Sequence, residues 1–182
     1  VIALATSDDA VALAGLHNAV AQRLTDLHGV GPWSGVTTEK GVRYALRTSS
    51  VYVARDGDRI IATFRLMAKK PWAIDVDYFA PARRPLYLLG MAVAPSRQRC
   101  GVGRQCLTDA SALAREWPAD AIRLDAWDAE AGAGGFYVRC GYTEVGRRTY
   151  RGNPLIYFER RLTASGTSPE SDSPASRRPN RS

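Results

Sequence analysis

Cysteine and histidine are scarce in this sequence of 182 residues, which holds three Cys and two His. Cys100, Cys106 and Cys140 are odd in number and irregular in spacing, which argues against a disulfide framework. With only His17 and His28 to add imidazoles, no ligand-spaced metal cluster can be assembled, and no metal is expected. The cysteines read as reduced thiols of a cytoplasmic protein. No apolar run reaches the roughly 18 residues that suggest a membrane-spanning helix. The apolar start Val1–Ala5 is too short for a secretory leader and has no basic residue before it. Repeats of about 20–50 residues are missing too, which removes solenoids and propellers.

What is present fits one globular domain with a real core: 45% apolar and 24% charged residues. The net charge is +7. In residues 163–182 three arginines face two carboxylates, leaving +1 there and +6 for residues 1–162. A basic body suits a polyanion, either nucleic acid or a phosphorylated small molecule, and charge alone does not choose. From Thr163 the composition is Ser, Pro and Arg with little else, too polar to bury a core. The expected division is a folded domain over residues 1–162 and a disordered tail over 163–182.

Along the chain, Thr6, Ser7 and Asp8 offer helix caps. Val11, Leu13, Leu16, Val20, Leu24 and Leu27 then recur at helical spacing until Gly29. A second helix is expected over Thr38–Arg47. Ser50–Arg55 and Arg59–Met67 read as a hairpin about Asp56-Gly57-Asp58. After an irregular stretch, Leu86–Val93 reads as a fully buried strand. Gly101–Trp117 turns helical, Pro118 stops it, and Ala121–Trp127 is a strand parallel to the previous one. A short helix near Ala133–Arg139 ends at Gly141, and strands near Tyr142–Tyr150 and Leu155–Leu162 close the domain. The fold class is α/β in the α+β sense, a mixed sheet that is mostly antiparallel with one parallel unit.

The informative segment is Val93-Ala94-Pro95-Ser96-Arg97-Gln98-Arg99-Cys100-Gly101-Val102-Gly103-Arg104. A strand ends, a polar loop follows, and two glycines open a helix whose first amides lack intrahelical partners. The helix dipole adds partial positive charge, so the turn is built to hold a pyrophosphate. Arg97, Arg99 and Arg104 add attraction. A dinucleotide fingerprint fails, because Cys106 stands where its third glycine belongs, and no Gly-Lys-Ser/Thr triplet makes a P-loop.

Gln98-x-x-Gly101-x-Gly103, after Met91-Ala92-Val93-Ala94-Pro95, resembles the acetyl-CoA signature of the GNAT N-acetyltransferase superfamily. Downstream, Gly135-Phe136-Tyr137-Val138-Arg139-Cys140-Gly141-Tyr142 resembles the same family's tyrosine segment. The resemblance spans residues 1–162 and implies a fold with helices on both faces, the parallel strands splayed at an acetyl-CoA cleft. It implies that the backbone of Met91, Ala92 and Val93 pairs with the pantetheine arm. Gln98, Arg99, Cys100, Gly101, Val102, Gly103 and Arg104 would form the pyrophosphate turn. Tyr137 would be the catalytic residue near the thioester sulfur, and acetyl-CoA the co-substrate.

The implied reaction moves an acetyl group to a primary amine of a small molecule or peptide by direct attack in a ternary complex. A base must take the amine proton. The strand Leu86–Val93 carries no carboxylate, so the candidates are Asp125, Asp75, Asp77 or a water path. Asp125 alternates with Leu124 and Ala126 and is the catalytic expectation. Where many relatives carry Asn ahead of the tyrosine, this chain has Glu130. Trp72, Asp75, Asp77, Tyr78 and Phe79, with Trp33, are expected to line the acceptor side and to suit a cationic amine. The expected partners are acetyl-CoA and an amine, with a homodimer left open and neither membrane nor nucleic acid expected. The rival readings are an acyl-CoA-binding protein with another donor or no turnover, and a basic nucleic-acid-binding module.

Overall fold

A computed structural model describes residues 2–162; the tail expected over 163–182 lies outside the described residues. In chain order the elements are β1 (Ile2–Leu4), α1 (Ala10–His28), α2 (Glu39–Thr48), β2 (Ser50–Asp56), β3 (Arg59–Met67), β4 (Pro85–Val93), α3 (Val102–Glu116), β5 (Ala121–Trp127), α4 (Gly134–Arg139), β6 (Thr143–Tyr150) and β7 (Asn153–Arg161). They form a seven-stranded sheet in the order β1-β2-β3-β4-β5-β7-β6. Only β4 and β5 run parallel; every other neighbour is antiparallel.

Alternation along the strands sorts side chains to two faces. Phe64, Leu66, Leu86, Leu88, Ile122 and Leu124 meet Cys106, Leu107, Ala110 and Ala114 of α3 and Tyr137 of α4 in the main core. Burial pushes the Cys106 thiol up to about 11, so it packs as a small apolar group. On the other face Ala10, Leu13 and Ala14 of α1 and Val42 of α2 cover Val51 and Val53. Thr38 caps α2, its side chain accepting from the Gly41 amide at 3.1 Å. Gly29, at φ +77°, ends α1 as its sequence position suggested.

Three features differ from the sequence expectations. The stripe assigned to α1 included Val11 and Leu27, which are exposed; the buried positions are Ala10, Leu13, Ala14 and Leu16, because the helix runs past the edge of what it covers. The apolar start, to which the sequence pattern assigns no element, holds an edge strand, Ile2–Leu4, paired with β2. The strand over Leu86–Val93 is not fully buried. Leu86, Tyr87, Leu88 and Ala92 are buried, whereas Gly90 is exposed, because β4 leaves its parallel partner halfway along.

The segment between β3 and β4 is held down at one place. Arg123 and Glu159 are register partners on β5 and β7, both buried, with Nε to Oε1 at 3.0 Å. The same guanidinium donates to the Ala80 carbonyl at 2.6 Å and lies over the Phe79 ring, 4.6 Å from its centroid. One charged group thus joins two strands and a loop. Removing its counter-charge strands a buried cation. Glu159→Ala is expected to destabilise the domain by about 3 kcal/mol in chemical denaturation, and Arg123→Met with Glu159→Leu to recover most of that loss.

Candidate active site

Parallel pairing between β4 and β5 lasts three residues, Pro85–Tyr87 against Ala121–Arg123, and then stops. The register between β3 and β4 slips at the same height. Thr63 faces Ala92 and Arg65 faces Leu89, so Gly90 and Met91 together oppose Phe64. This is a β-bulge, and Gly90 takes φ +56° within it. The bulge bends β4 away from β5. Beyond the fork, the β4 edge carries backbone groups that no strand of the sheet pairs, a ready template for an extended ligand.

A cleft of about 1130 Å³ fills the fork and opens to both faces of the sheet. Met91, Ala92, Val93, Gln98, Arg99, Gly101, Gly103, Arg104, Asp125 and Tyr137 all line it. Cys100 and Val102 do not: the Cys100 thiol contacts the Gln98 carbonyl at 3.3 Å, and Val102 packs against the main core. Arg97 is paired with Asp56 on the β2–β3 hairpin and is not a cleft residue.

The turn is shaped by its backbone. Gln98 donates from Nε2 to the Val93 carbonyl at 3.1 Å, tying the loop to the end of β4. Arg99 at φ +61° and Gly101 at φ +83° are both left-handed. The first helical bond across this end runs from the Gln105 amide to the Gly101 carbonyl at 3.0 Å, so the amides of Val102, Gly103 and Arg104 have no intrahelical acceptor. The two glycines have different reasons. Gly101 supplies the left-handed conformation, with open space where a Cβ would stand. Gly103 lets Phe136 approach, since a Cβ there would sit 3.1 Å from the ring.

Tyr137 is buried between Tyr142 and Phe158, with ring centroids 5.7 Å away in each case. Its hydroxyl donates to the Met91 thioether across the fork, Oη to Sδ 3.9 Å. Burial, then the neighbouring Tyr142, Asp125 and Cys140, raise its pKa well above that of a free phenol. Asp125 lies on β5 between Leu124 and Ala126, which face the main core, so its carboxyl enters the cleft from the α1 side. Burial raises its pKa above the ordinary 3.8.

The acceptor-side expectation needs correction. Trp72, Asp75, Asp77, Tyr78 and Phe79 do not line the cleft. Asp75 caps the turn Val76–Tyr78 and pairs with Arg148; Phe79 packs on Tyr157; Trp72 is exposed. The loop packs on the α1 face of the sheet beside the cleft, where Ile74 and Phe79 are apolar anchors against Tyr87 and Tyr157. Trp33 does line the cleft, edge-on to Trp127 with centroids 5.8 Å apart. Glu130 is exposed and outside it, while Ala131, Gly132 and Ala133 form that rim. The sequence reading also missed His17 of α1, Arg65 of β3 and the bulge at Gly90, all of which line the cleft. The glycine inside an apolar strand run was the available signal for the bulge. Among the described residues no group of three or more His, Cys, Asp or Glu is placed to hold a metal, and no helix is long and apolar enough to cross a membrane.

A family profile described as an acetyltransferase (GNAT) domain matches residues 47–144, from the end of α2 into β6. Among solved structures, an N-acetyltransferase from Staphylococcus aureus Mu50 is 15% identical with a TM-score of 0.67, covering 90% of this chain and 98% of its own. The yncA protein of Salmonella typhimurium, solved with its cofactor acetyl-CoA, is 15% identical with a TM-score of 0.65, covering 94% and 98%. A ribosomal-protein-alanine N-acetyltransferase from Brucella melitensis is 17% identical with a TM-score of 0.66, covering 89% and 99%. At these identities the likeness is one of fold. No curated protein sequence matches the chain.

The raised pKa of Asp125 has a consequence for stability. Its folded pKa lies above the unfolded one, so the folded state holds its proton longer, and stability falls as pH rises from about 4 through the folded value. Asp125→Asn removes that loss. The variant is expected to melt higher than the parent at neutral pH, with the gap shrinking towards pH 4 in thermal unfolding.

Proposed function

The chain belongs to the GNAT acetyltransferase family, and from that premise we propose that it moves an acetyl group from acetyl-CoA to a primary amine, both bound together in the forked cleft. The observation that carries this reading is the continuity of one cleft from the left-handed turn at the start of α3, through the gap between β4 and β5, to Tyr137 and Asp125. That path suits a long donor with a phosphorylated head and a thioester end.

The residues present fit such a donor. The free amides of Val102, Gly103 and Arg104, the positive end of α3 and the Arg99 and Arg104 side chains suit a pyrophosphate. The unpaired β4 edge at Met91–Val93 suits the amides of a pantetheine arm, which would lie as an added strand. The thioester supplies an activated acetyl carbon, and the protein's task is to manage two protons around it.

In this reading Asp125, which lines the cleft, accepts the proton that the amine must lose as the C–N bond forms. A carboxyl with a raised pKa is a stronger base than an exposed one, closer to what the step needs. In the same reading Tyr137 serves the sulfur end of the breaking C–S bond. Its phenol keeps its proton at neutral pH, and its present partner is already a sulfur, that of Met91. A phenol of raised pKa is a poor acid towards a thiolate, so Tyr137 acts first as a hydrogen-bond donor to the departing sulfur, which then takes up a proton from solvent. Neither step calls for a metal. The three unpaired cysteines support a reducing, cytoplasmic setting for this reading.

A thiol-release assay with acetyl-CoA and a panel of amines tests the reaction itself; release with no amine in the panel would remove the transfer reading. Tyr137→Phe is expected to lower kcat by roughly 100-fold while leaving CoA affinity unchanged, and an unaltered kcat takes the phenol out of the chemistry. Gly101→Glu places a side chain at a left-handed position and a like charge at the phosphate turn. CoA affinity, measured by calorimetric titration, is expected to fall at least about tenfold.

A further inference from the structure

The acetyl-transfer chemistry leaves the two basic side chains on the α1 side of the cleft without a task. Arg65 on β3 and His17 on α1 line it together, on the face opposite α3 and therefore away from the phosphate turn. Phe64 and Leu66 point into the main core, and Arg65 between them points towards α1. Among the described residues no side chain or carbonyl hydrogen bonds to the Arg65 guanidinium and no carboxylate pairs with it. The contrast is Arg123, equally a strand arginine, which Glu159 and Ala80 close off.

An unpaired, largely buried cation is unfavourable unless its polar atoms keep access to solvent or to a ligand. Arg65 lines the cleft and has that access through it. Burial lowers its pKa, yet a guanidinium stays charged. Burial, and then the charge of Arg65, lower the pKa of His17, so its imidazole is neutral at pH 7 and offers a hydrogen bond in place of a second charge. Both side chains crowd against the bulge, where a Cβ at Gly90 would lie 3.2 Å from Arg65 Nε and 3.8 Å from His17 Cε1. One charged planar fork with one neutral imidazole suits a singly charged planar anion better than a phosphate dianion.

The opposite charge in the cleft stands on the other side of the fork. Arg65 pairs with Leu89, two residues beyond the last β4–β5 pair along β4, and Asp125 is two residues beyond that pair along β5. Two strand spacings put the backbones of Arg65 and Asp125 at least about 10 Å apart. The two groups do not form an ion pair with each other; the cleft holds them apart, one on each side of the fork.

We propose that Arg65, with His17 beside it, binds a carboxylate of the acceptor, so that the acceptor is an amino acid or a similar amine bearing a carboxylate, its amine directed towards Asp125. This rests on the acetyl-transfer reading for the identity of the amine end, and on the cleft alone for the carboxylate. It replaces the cationic, aromatic-lined acceptor site expected from Trp72, Asp75 and their neighbours, which lie elsewhere.

The test is calorimetric titration of the protein, with and without saturating CoA, using a panel of N-acetyl amino acids and their primary amides. At least one acid is expected to bind at least about tenfold more tightly than its amide, the effect of one charge-assisted pair. That preference disappears in Arg65→Gln and is partly kept in Arg65→Lys, which retains the charge but not the fork. Unchanged CoA affinity in both variants shows that they are folded, and the comparison of acid with amide in the parent protein needs no variant. Equal affinity for acid and amide, a preference that survives Arg65→Gln, or no binding of any acid overturns the proposal. If acids bind in the expected pattern while no amine is acetylated, the carboxylate site stands and the transfer reading falls.

Discussion

The parting of β4 and β5 after three paired residues is the constraint on which the rest of the site depends. Two parallel strands joined by a helix would ordinarily pair along their length, and here one extra residue in β4 prevents it. The bulge at Gly90 turns the strand aside, and the gap it creates is wide enough for a cleft of about 1130 Å³. Every cleft residue is placed relative to that gap. Met91 and Tyr137 touch across it on the α3 side, and Arg65 and Asp125 flank it on the α1 side.

The cleft is therefore two half-sites joined through the sheet. One half is made largely of backbone: free amides at the start of α3 and the unpaired β4 edge, which recognise a shape and a charge without side-chain specificity. The other half is made of side chains from three elements, His17 from α1, Arg65 from β3 and Asp125 from β5. On the proposed reading, a donor site of backbone tolerates change in sequence, whereas the acceptor site is written in a few residues. This division fits a chain that keeps the fold of solved acetyltransferases at 15–17% identity.

The same division explains how much was legible in the sequence. Element order, the β2–β3 hairpin and the strand–turn–helix unit could be read because local periodicity and turn residues encode them. The turn over residues 98–103 could be read because Gly101 and Gly103 are local signals, although the structure assigns them different duties. The acceptor half could not. Arg65 sits in an apolar strand at an alternate position, where a lone arginine reads as solvent-facing, and only the packing of α1 over that strand makes it a cleft residue. The loop after β3 misled for the opposite reason: its aromatics and carboxylates look like a binding surface, but Phe79 and Ile74 turn inward against Tyr87 and Tyr157, beside the cleft and not in its wall. Position across a sheet is a tertiary fact.

The Arg123–Glu159 pair lies where the fork closes, since Arg123 is the last residue of β5 to pair with β4. It stiffens the vertex of a two-pronged body whose prongs are the β1–β4 ribbon and the β5–β7 ribbon. A buried charge at the vertex and seven residue pairs between β5 and β7 fix that prong, whereas β4 above Gly90 is paired on one edge only. The aperture of the cleft is then set at its root, by a pair of residues that do not line it.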